Sequence, residues 1–383
     1  MKPGHQHFRL GRVLTLLVVL GFTADMILRM LPFEMWRLNA HPVLVQLRQR
    51  SGAFEPAAKY EWDRIGDIAR LANLPPIEPR RVTTFETDLW GFRNPPGFAS
   101  GGDVDAILVG DSFAYGGDSY DDTLAAIISK KCGLRVYNAA PHPLNDFGRI
   151  PGIAQQLGMT HGVVIYELLE RGGAPAVPEN NPPVLVPGPR FLVRHSLTWL
   201  IPLDRRLRIA ATFSPAEVFS QRLYKRLENS VILPNAHADS GFVTRLANGE
   251  PIYFIEPDVH PVSSPVQNWA DYIKWMASLL REQNLDLIVV LVPNKYTVYG
   301  PLVAGHVAAG ESESSYLDSL ARELESQRIV TVNLRKPLQA VAAERLKHDS
   351  YIFWLDDTHW NFDGKKVAAE RICEQFRSVR RSW

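Results

Sequence analysis

The chain has little cysteine, no excess of either charge and no uncharged apolar run of about 20 residues, the length that spans a membrane. Its 42 basic and 41 acidic residues leave a net charge of +1, which excludes the basic footprint of a nucleic-acid-binding protein. The two cysteines, Cys132 and Cys373, form neither a CxxC pair nor a Cys/His cluster, so no metal site is expected. Nothing in their spacing supports a disulfide.

What remains is the composition of an ordinary globular protein, with 46% hydrophobic and 22% charged residues. A chain of 383 residues is long enough to bury a sizeable core and to form two or three domains. The 28 prolines indicate many irregular connections between regular elements. We find no internal repeat and no low-complexity tract.

The N-terminus carries a short apolar segment behind several basic residues. Residues 13–24 are uncharged, and this run of twelve is closer to the core of a signal peptide than to a full membrane span. No Ala-x-Ala cleavage site follows, so an uncleaved signal anchor over residues 1–35 is favoured over a cleaved signal or a buried helix. The basic end then stays in the cytoplasm. The sequence predicts a single-pass protein of a bacterial inner membrane whose remaining domain lies in the periplasm.

From residue 105 onward, short apolar runs alternate with helical patterns. The predicted strands are 105–109, 135–137, 162–166, 286–292 and 329–332, and the predicted helices are 123–132, 145–157, 269–283, 316–327 and 364–376. Continuous Val, Ile and Leu runs bounded by helices are typical of a parallel sheet that is covered on both faces. The predicted fold class is therefore α/β.

Two regions interrupt this pattern. Residues 36–100 are predicted as an N-terminal lead-in, with helical periodicity at 60–74 and an irregular stretch before the first core strand. Residues 174–265 are rich in proline at their start and contain a predicted hairpin that turns at Asn248-Gly249. We interpret them as an insertion into a domain that covers residues 101–383.

Two short motifs, far apart in the sequence, carry the chemistry. Ser112 follows the first core strand in Gly-Asp-Ser-Phe, and His359 lies near the C-terminus in Asp-Asp-Thr-His-Trp-Asn. Functional groups of such sheets collect at the carboxyl ends of the strands. A serine hydroxyl is a weak nucleophile until an imidazole accepts its proton and a carboxylate orients that imidazole. Ser112, His359 and either Asp356 or Asp357 therefore predict serine-based acyl chemistry.

These motifs resemble those of the SGNH, or GDSL-type, hydrolase superfamily, and most closely the branch of the alginate O-acetyltransferases involved in exopolysaccharide modification. The resemblance rests on the motifs at 110–113, 293–299 and 357–361 and covers residues 100–380. It implies a three-layer, flavodoxin-like SGNH fold with Ser112 as nucleophile and His359 as base. Many members place the acid three residues before the histidine, at Asp356, whereas the alginate-type Asp-x-His-Trp pattern favours Asp357.

The oxyanion-stabilising motifs of the family are altered in this chain. Pro141 lies near the position of a family glycine and has no N–H to donate. A family Gly-x-Asn-Asp motif is replaced by Tyr-Glu-Leu-Leu-Glu-Arg at 166–171. The amide of Ser112 is still available, and Asn138 and Arg171 are candidates for the missing donors. Arg171 is equally interpreted as a structural partner of a neighbouring glutamate.

Three further residues are candidates for the substrate cleft. Lys295 and Tyr296 follow another strand end, where they either line the cleft or form a solvated loop lysine beside a packed tyrosine. Trp360 either stacks on a sugar ring or packs beside the base.

The resemblance implies a membrane-anchored serine acyltransferase or esterase that acts on O-acetyl groups of a polysaccharide through an acyl-serine. No cofactor is required, but transfer needs a separate membrane protein that carries the acyl group across. The altered oxyanion motifs motivate an alternative from another class, a non-catalytic assembly or binding protein of an exopolysaccharide export complex.

Overall fold

The computed structural model describes residues 4–30, 54, 57, 59–72, 74–98, 103–141, 149–179, 242–261, 263–305 and 315–380. The chain divides into two compact units, residues 1–46 with 192–237 and residues 47–191 with 238–383. Most of the predicted insertion, residues 180–241, lies outside the described residues.

The first unit contributes one described element, helix α1 (Gly4–Met30). It includes the uncharged run at 13–24, and large apolar side chains such as Leu16 and Val18 are exposed along it. Within the described parts of the chain, no helix combines the length and the apolar character that crossing a membrane requires. The membrane anchor therefore stays a prediction.

The second unit begins with a small antiparallel hairpin. Strand β1 (Lys59–Arg64) pairs with β2 (Arg81–Glu86), and the short helix α2 (Asp67–Leu71) lies between them. The predicted helical periodicity at 60–74 is wrong for the first part of that range. Tyr60 is buried while Lys59 and Glu61 are exposed, and this alternation serves a strand that pairs with a partner about 20 residues away.

A five-stranded parallel sheet forms the core, as predicted for an α/β fold. The remaining strands are β3 (Ala106–Val109), β4 (Val136–Asn138), β5 (Gly162–Leu169), β6 (Phe242–Arg245), β7 (Pro251–Phe254), β8 (Leu285–Val292) and β9 (Val330–Asn333). The core order is β4-β3-β5-β8-β9, all parallel, which is the flavodoxin-like order. The carboxyl ends of β3, β4, β5 and β8 thus meet at one edge.

Helices cover both faces of this sheet. The remaining helices of this unit are α3 (Ser112–Tyr115), α4 (Leu124–Cys132), α5 (Arg149–Gln156), α6 (Glu256–Val259), α7 (Val266–Arg281), α8 (Lys295–Tyr299), α9 (Tyr316–Ser326), α10 (Arg335–Leu346) and α11 (Phe362–Arg380). Buried side chains of α5, α7 and α9 form one cluster with one face of the strands. Helices α4 and α11 pack together, and α11 also contacts β8 and β9.

A disulfide links two helices of this unit. Cys132, at the end of α4, is bonded to Cys373 in α11, with their Cα atoms 5.5 Å apart. The sequence spacing gave no support for this bond because the sheet brings the two helices together across 241 positions.

The predicted hairpin is confirmed: β6 pairs antiparallel with β7, and Gly249 takes the positive φ of its turn.

Candidate active site

Ser112 lies on the turn that leaves strand β3, an interior strand of the sheet, and opens α3. Asp111 caps this helix, because its Oδ1 accepts a hydrogen bond of 2.8 Å from the amide of Phe113. The amide of Asp111 donates to Glu167 Oε2 at 3.0 Å. A methyl group on Gly110 would collide with Glu167, so only glycine allows this close approach. The turn therefore holds the serine at the carboxyl edge of the sheet.

A chain of two hydrogen bonds joins Ser112 to an acid through an imidazole. Ser112 Oγ lies 2.8 Å from His359 Nε2, and His359 Nδ1 lies 2.7 Å from Asp357 Oδ1. The Asp357 carboxylate is fully buried, whereas the His359 side chain is 18% exposed. With Nδ1 protonated toward the carboxylate, Nε2 is free to accept the serine proton. The structure thus brings together two motifs that lie 247 positions apart.

The structure also distinguishes between the two candidate acids, Asp356 and Asp357. Asp356 turns away from the imidazole, and its Oδ2 accepts hydrogen bonds from the amides of Ile77 at 3.0 Å and Glu78 at 3.2 Å. Asp357 is the carboxylate beside His359. The alternative placing of the acid at Asp356, three residues before the histidine, does not agree with this geometry. Asp356 instead fixes the loop to the N-terminal part of the unit.

Two arginines bind Oδ2 of Asp357, the carboxylate oxygen that does not face His359; we call it the outer oxygen and Oδ1 the inner oxygen. Asp357 Oδ2 accepts from Arg64 at 2.5 Å and from Arg81 at 3.3 Å. Burial by itself would raise the pKa of Asp357, but the charges of Arg64, His359 and Arg81 together hold it well below its usual value. The carboxylate therefore stays ionised and can stabilise a protonated imidazole.

A second carboxylate, Asp67, lies on the same side of the imidazole. It accepts from the amide of Thr358 at 2.7 Å and from the Thr358 hydroxyl at 2.6 Å, and its Oδ2 is 3.5 Å from His359 Nδ1. Burial, and then the charge of Asp357, raise the pKa of Asp67. Asp67, Asp357 and His359 are close enough to hold a metal ion. Their ligand atoms are, however, already engaged with Thr358, Arg64 and Ser112.

Lys295 neither lines a cleft nor is a solvated loop lysine, contrary to both interpretations of the sequence. Its side chain is fully buried, and Nζ donates to the carbonyls of Tyr253 at 2.8 Å, Leu355 at 2.8 Å and Asp357 at 3.0 Å. Burial lowers the pKa of Lys295 to about 8. The lysine lies beneath the loop that carries Asp357 and His359 and supports it from inside.

We expect Lys295→Met to lower the free energy of unfolding by about 3 kcal/mol or more, because three buried carbonyls lose their donor. Urea unfolding followed by tryptophan fluorescence measures this change. The matched control is Lys347→Met, which removes a lysine whose side chain is 67% exposed and should have little effect. Equal midpoints for the two variants would show that the three hydrogen bonds contribute nothing.

Trp360 packs and does not face a sugar, whereas Tyr296 packs on one side only. Trp360 is 1% exposed, and its Nε1 donates to the carbonyl of Phe113 at 3.0 Å. It therefore connects the loop at residues 356–361, here called the histidine loop, to helix α3. It is not available for stacking on a substrate. The ring of Tyr296 is half-buried and lies edge-on to Phe254, with 5.1 Å between centroids.

The two candidate oxyanion donors differ in their surroundings. Asn138 is fully buried at the end of β4, beside β3, and its Oδ1 accepts from the amide of Ala140. Within the described residues, neither Asn138 Nδ2 nor the Ser112 amide has a hydrogen-bond partner. Arg171 is paired with Asp258, and not with Glu167 or Glu170, the neighbouring glutamates that were the predicted partners. Arg171 is thus a structural ion-pair partner.

The sequence did not predict a role at the site for five charged residues around it. Arg64, Asp67 and Arg81 surround the acid and the base, while two buried cations fix the chain after α3. Arg93 donates to the carbonyls of Tyr115 and Gly117, and Lys365 donates to those of Gly116 and Asp122. No local signal marks such residues, because charged side chains are usually solvated wherever they lie in the chain.

A family comparison agrees with the geometry of this site. Residues 254–382 match the family model described as an SGNH hydrolase-like domain, acetyltransferase AlgX. This part of the chain is similar to the SGNH-type acetyltransferases. The match confirms the resemblance to the alginate O-acetyltransferase branch and includes Asp357 and His359, but it does not reach Ser112. No curated protein gives a significant match to the chain.

Proposed function

We propose that this protein is an acyltransferase or esterase that uses Ser112 to move acetyl groups on or off a polysaccharide. The observation that carries the proposal is the relay from Ser112 Oγ to His359 Nε2 at 2.8 Å and from His359 Nδ1 to Asp357 at 2.7 Å. Such a relay activates a serine for attack on an ester or thioester carbonyl. The match to an acetyltransferase domain supports acetyl as the group that is moved.

In the first half-reaction, Ser112 Oγ attacks the carbonyl carbon of the acyl donor while His359 Nε2 takes the hydroxyl proton. The new imidazolium is stabilised by the ionised Asp357. The tetrahedral intermediate collapses as the leaving group departs with the proton from His359, which leaves an acetyl-serine. In the second half-reaction, a sugar hydroxyl or water gives its proton to His359 and attacks the acetyl carbon. The bond from the acetyl carbon to Ser112 Oγ then breaks, and His359 returns the proton to Oγ.

Negative charge on the tetrahedral oxygen needs donors near Ser112. The Ser112 amide, at the start of α3, is one candidate donor because it has no partner in the described part of the chain. The Asn138 side chain is a second candidate, since it is buried beside β3 and its Nδ2 has no partner among the residues that the structure describes. One such donor contributes roughly 3–4 kcal/mol to lowering a barrier of this kind.

We further propose transfer to a polysaccharide hydroxyl as the main reaction, with a separate membrane protein delivering the acetyl group. To test this, the full chain is given a chromogenic acetyl ester with and without oligosaccharide acceptors, and acetylated products are measured by mass spectrometry. We expect acetylated oligosaccharide to form at the expense of free acetate. Partitioning to acetate alone with every acceptor would make the enzyme an esterase.

Attachment to a bacterial inner membrane through α1, with the catalytic unit in the periplasm, is our proposal for its location. The uncharged run at 13–24 behind basic residues and the exposed apolar side chains of α1 support it. The Cys132–Cys373 disulfide supports an oxidising compartment. Protease treatment of intact spheroplasts should digest the catalytic unit, and protection of that unit would contradict the proposal.

A further inference from the structure

Three consecutive residues before His359 are each held by one N-terminal segment, residues 64–81. Asp356 accepts hydrogen bonds from the amides of Ile77 and Glu78, and Asp357 accepts from Arg64 and Arg81. Thr358 donates from its amide and its hydroxyl to Asp67. The histidine loop is therefore bound along its length by a segment almost 300 residues earlier in the sequence.

Hairpin geometry explains how two arginines reach the same oxygen. Arg64 and Arg81 are directly opposite each other in the register of β1 and β2, so their side chains leave the hairpin at the same end. Arg64 is the closer of the two, at 2.5 Å from Asp357 Oδ2. The segment lies outside the part of the chain that matches the acetyltransferase domain, residues 254–382.

We propose that residues 64–81 form a positioning element of the catalytic centre, with Arg64 as the positioning residue for Asp357. This inference rests on the proposed function, because it assigns a role within the same relay. Arg64 acts through Asp357 and touches no reacting atom. By binding the outer oxygen of the carboxylate, it fixes the orientation of the inner oxygen toward His359 Nδ1.

The positive charge of Arg64 also balances the negative charges beside the imidazole. The ionisable groups around the Asp357–His359 pair are Arg64, Asp67, Arg70, Arg81, Asp118 and Lys295. Removing one cation from this set leaves Asp357 and Asp67 less compensated, so a protonated His359 is stabilised.

The test compares Arg64→Gln, Arg64→Lys and the wild-type full chain by the pH dependence of kcat/KM for p-nitrophenyl acetate. We expect Arg64→Gln to lose about 10- to 100-fold in kcat/KM at neutral pH, as when a group that orients a catalytic ligand is removed. The loss should fall on kcat more than on KM, and the acidic limb of the profile should move to higher pH. Arg64→Lys keeps the charge and should restore the position of that limb in part.

The matched control is Arg335→Gln, which removes another partly buried arginine that is paired with an aspartate, Asp318. Its kcat/KM and pH profile should equal those of the wild type. A second readout needs no turnover: the downfield Nδ1–H proton resonance of His359 reports its bond to Asp357 and should shift or vanish in Arg64→Gln alone.

Three outcomes overturn the inference: an unchanged kcat/KM and profile in Arg64→Gln, an equal loss in Arg335→Gln, or an unshifted resonance. A wild-type chain without ester turnover would instead contradict the proposed function. The resonance of His359 would then decide the positioning role by itself.

Discussion

Ser112→Ala should lower ester turnover by about a thousandfold to a millionfold, because the nucleophile of the relay is lost. His359→Ala should cause a loss of similar size, and the double variant should be little worse than either single one. Such non-additivity is expected when the residues act as one unit. Initial rates with p-nitrophenyl acetate, together with labelling by a fluorophosphonate, measure both effects.

The matched control for the nucleophile is Ser326→Ala, which changes an exposed serine on α9 whose hydroxyl donates to the carbonyl of Glu323 in its own helix. It should keep both turnover and labelling. Labelling of the wild type should map to Ser112 and disappear in Ser112→Ala. Turnover that survives Ser112→Ala unchanged, or an inert wild type, would favour the non-catalytic assembly protein of an exopolysaccharide complex.

The two neighbouring aspartates should respond very differently to loss of charge. Asp357→Asn is expected to lower kcat about 10⁴-fold, because an amide cannot hold the imidazole in the tautomer that accepts the serine proton. The Asn side chain would also face Arg64 and Arg81 without a negative charge. Steady-state kinetics near neutral pH measures the loss.

Asp356→Asn is the control, since it removes the adjacent carboxylate and leaves the relay in place. Its kcat should stay within about tenfold of the wild type, while the free energy of unfolding falls by about 1–2 kcal/mol as two charged hydrogen bonds become neutral. If Asp356→Asn were the more damaging variant for kcat, Asp357 would not be the acid of the relay.

Most regular elements of the core could be predicted because their signals are local. The Val, Ile and Leu runs of β3, β5 and β8 are buried along almost their whole length, so their sequence reads as continuous apolar strands. The turn at Asn248-Gly249 was equally readable, since glycine takes a positive φ without strain.

Strand β1 was predicted as helical because its pairing partner is remote. Charged and aromatic residues of Lys59–Arg64 fit both periods in a short window, and only the ladder with β2 selects the strand. The cleft or oxyanion roles considered for Lys295, Trp360 and Arg171 are not supported, for a related reason. The sequence does not show which groups these side chains bind in space, namely backbone carbonyls for Lys295 and Trp360 and the buried Asp258 for Arg171. For Trp360, packing beside the base is the alternative that the structure confirms.

The sequence by itself determined the α/β class, the serine that follows a buried strand and the histidine loop, because chain-local patterns encode each of them. Only the tertiary structure decided between Asp356 and Asp357, paired Cys132 with Cys373, and brought Arg64, Asp67 and Arg81 to the acid and the base. The physical reason is that burial and charge compensation depend on neighbours in space, and those neighbours lie more than 200 positions away along the chain.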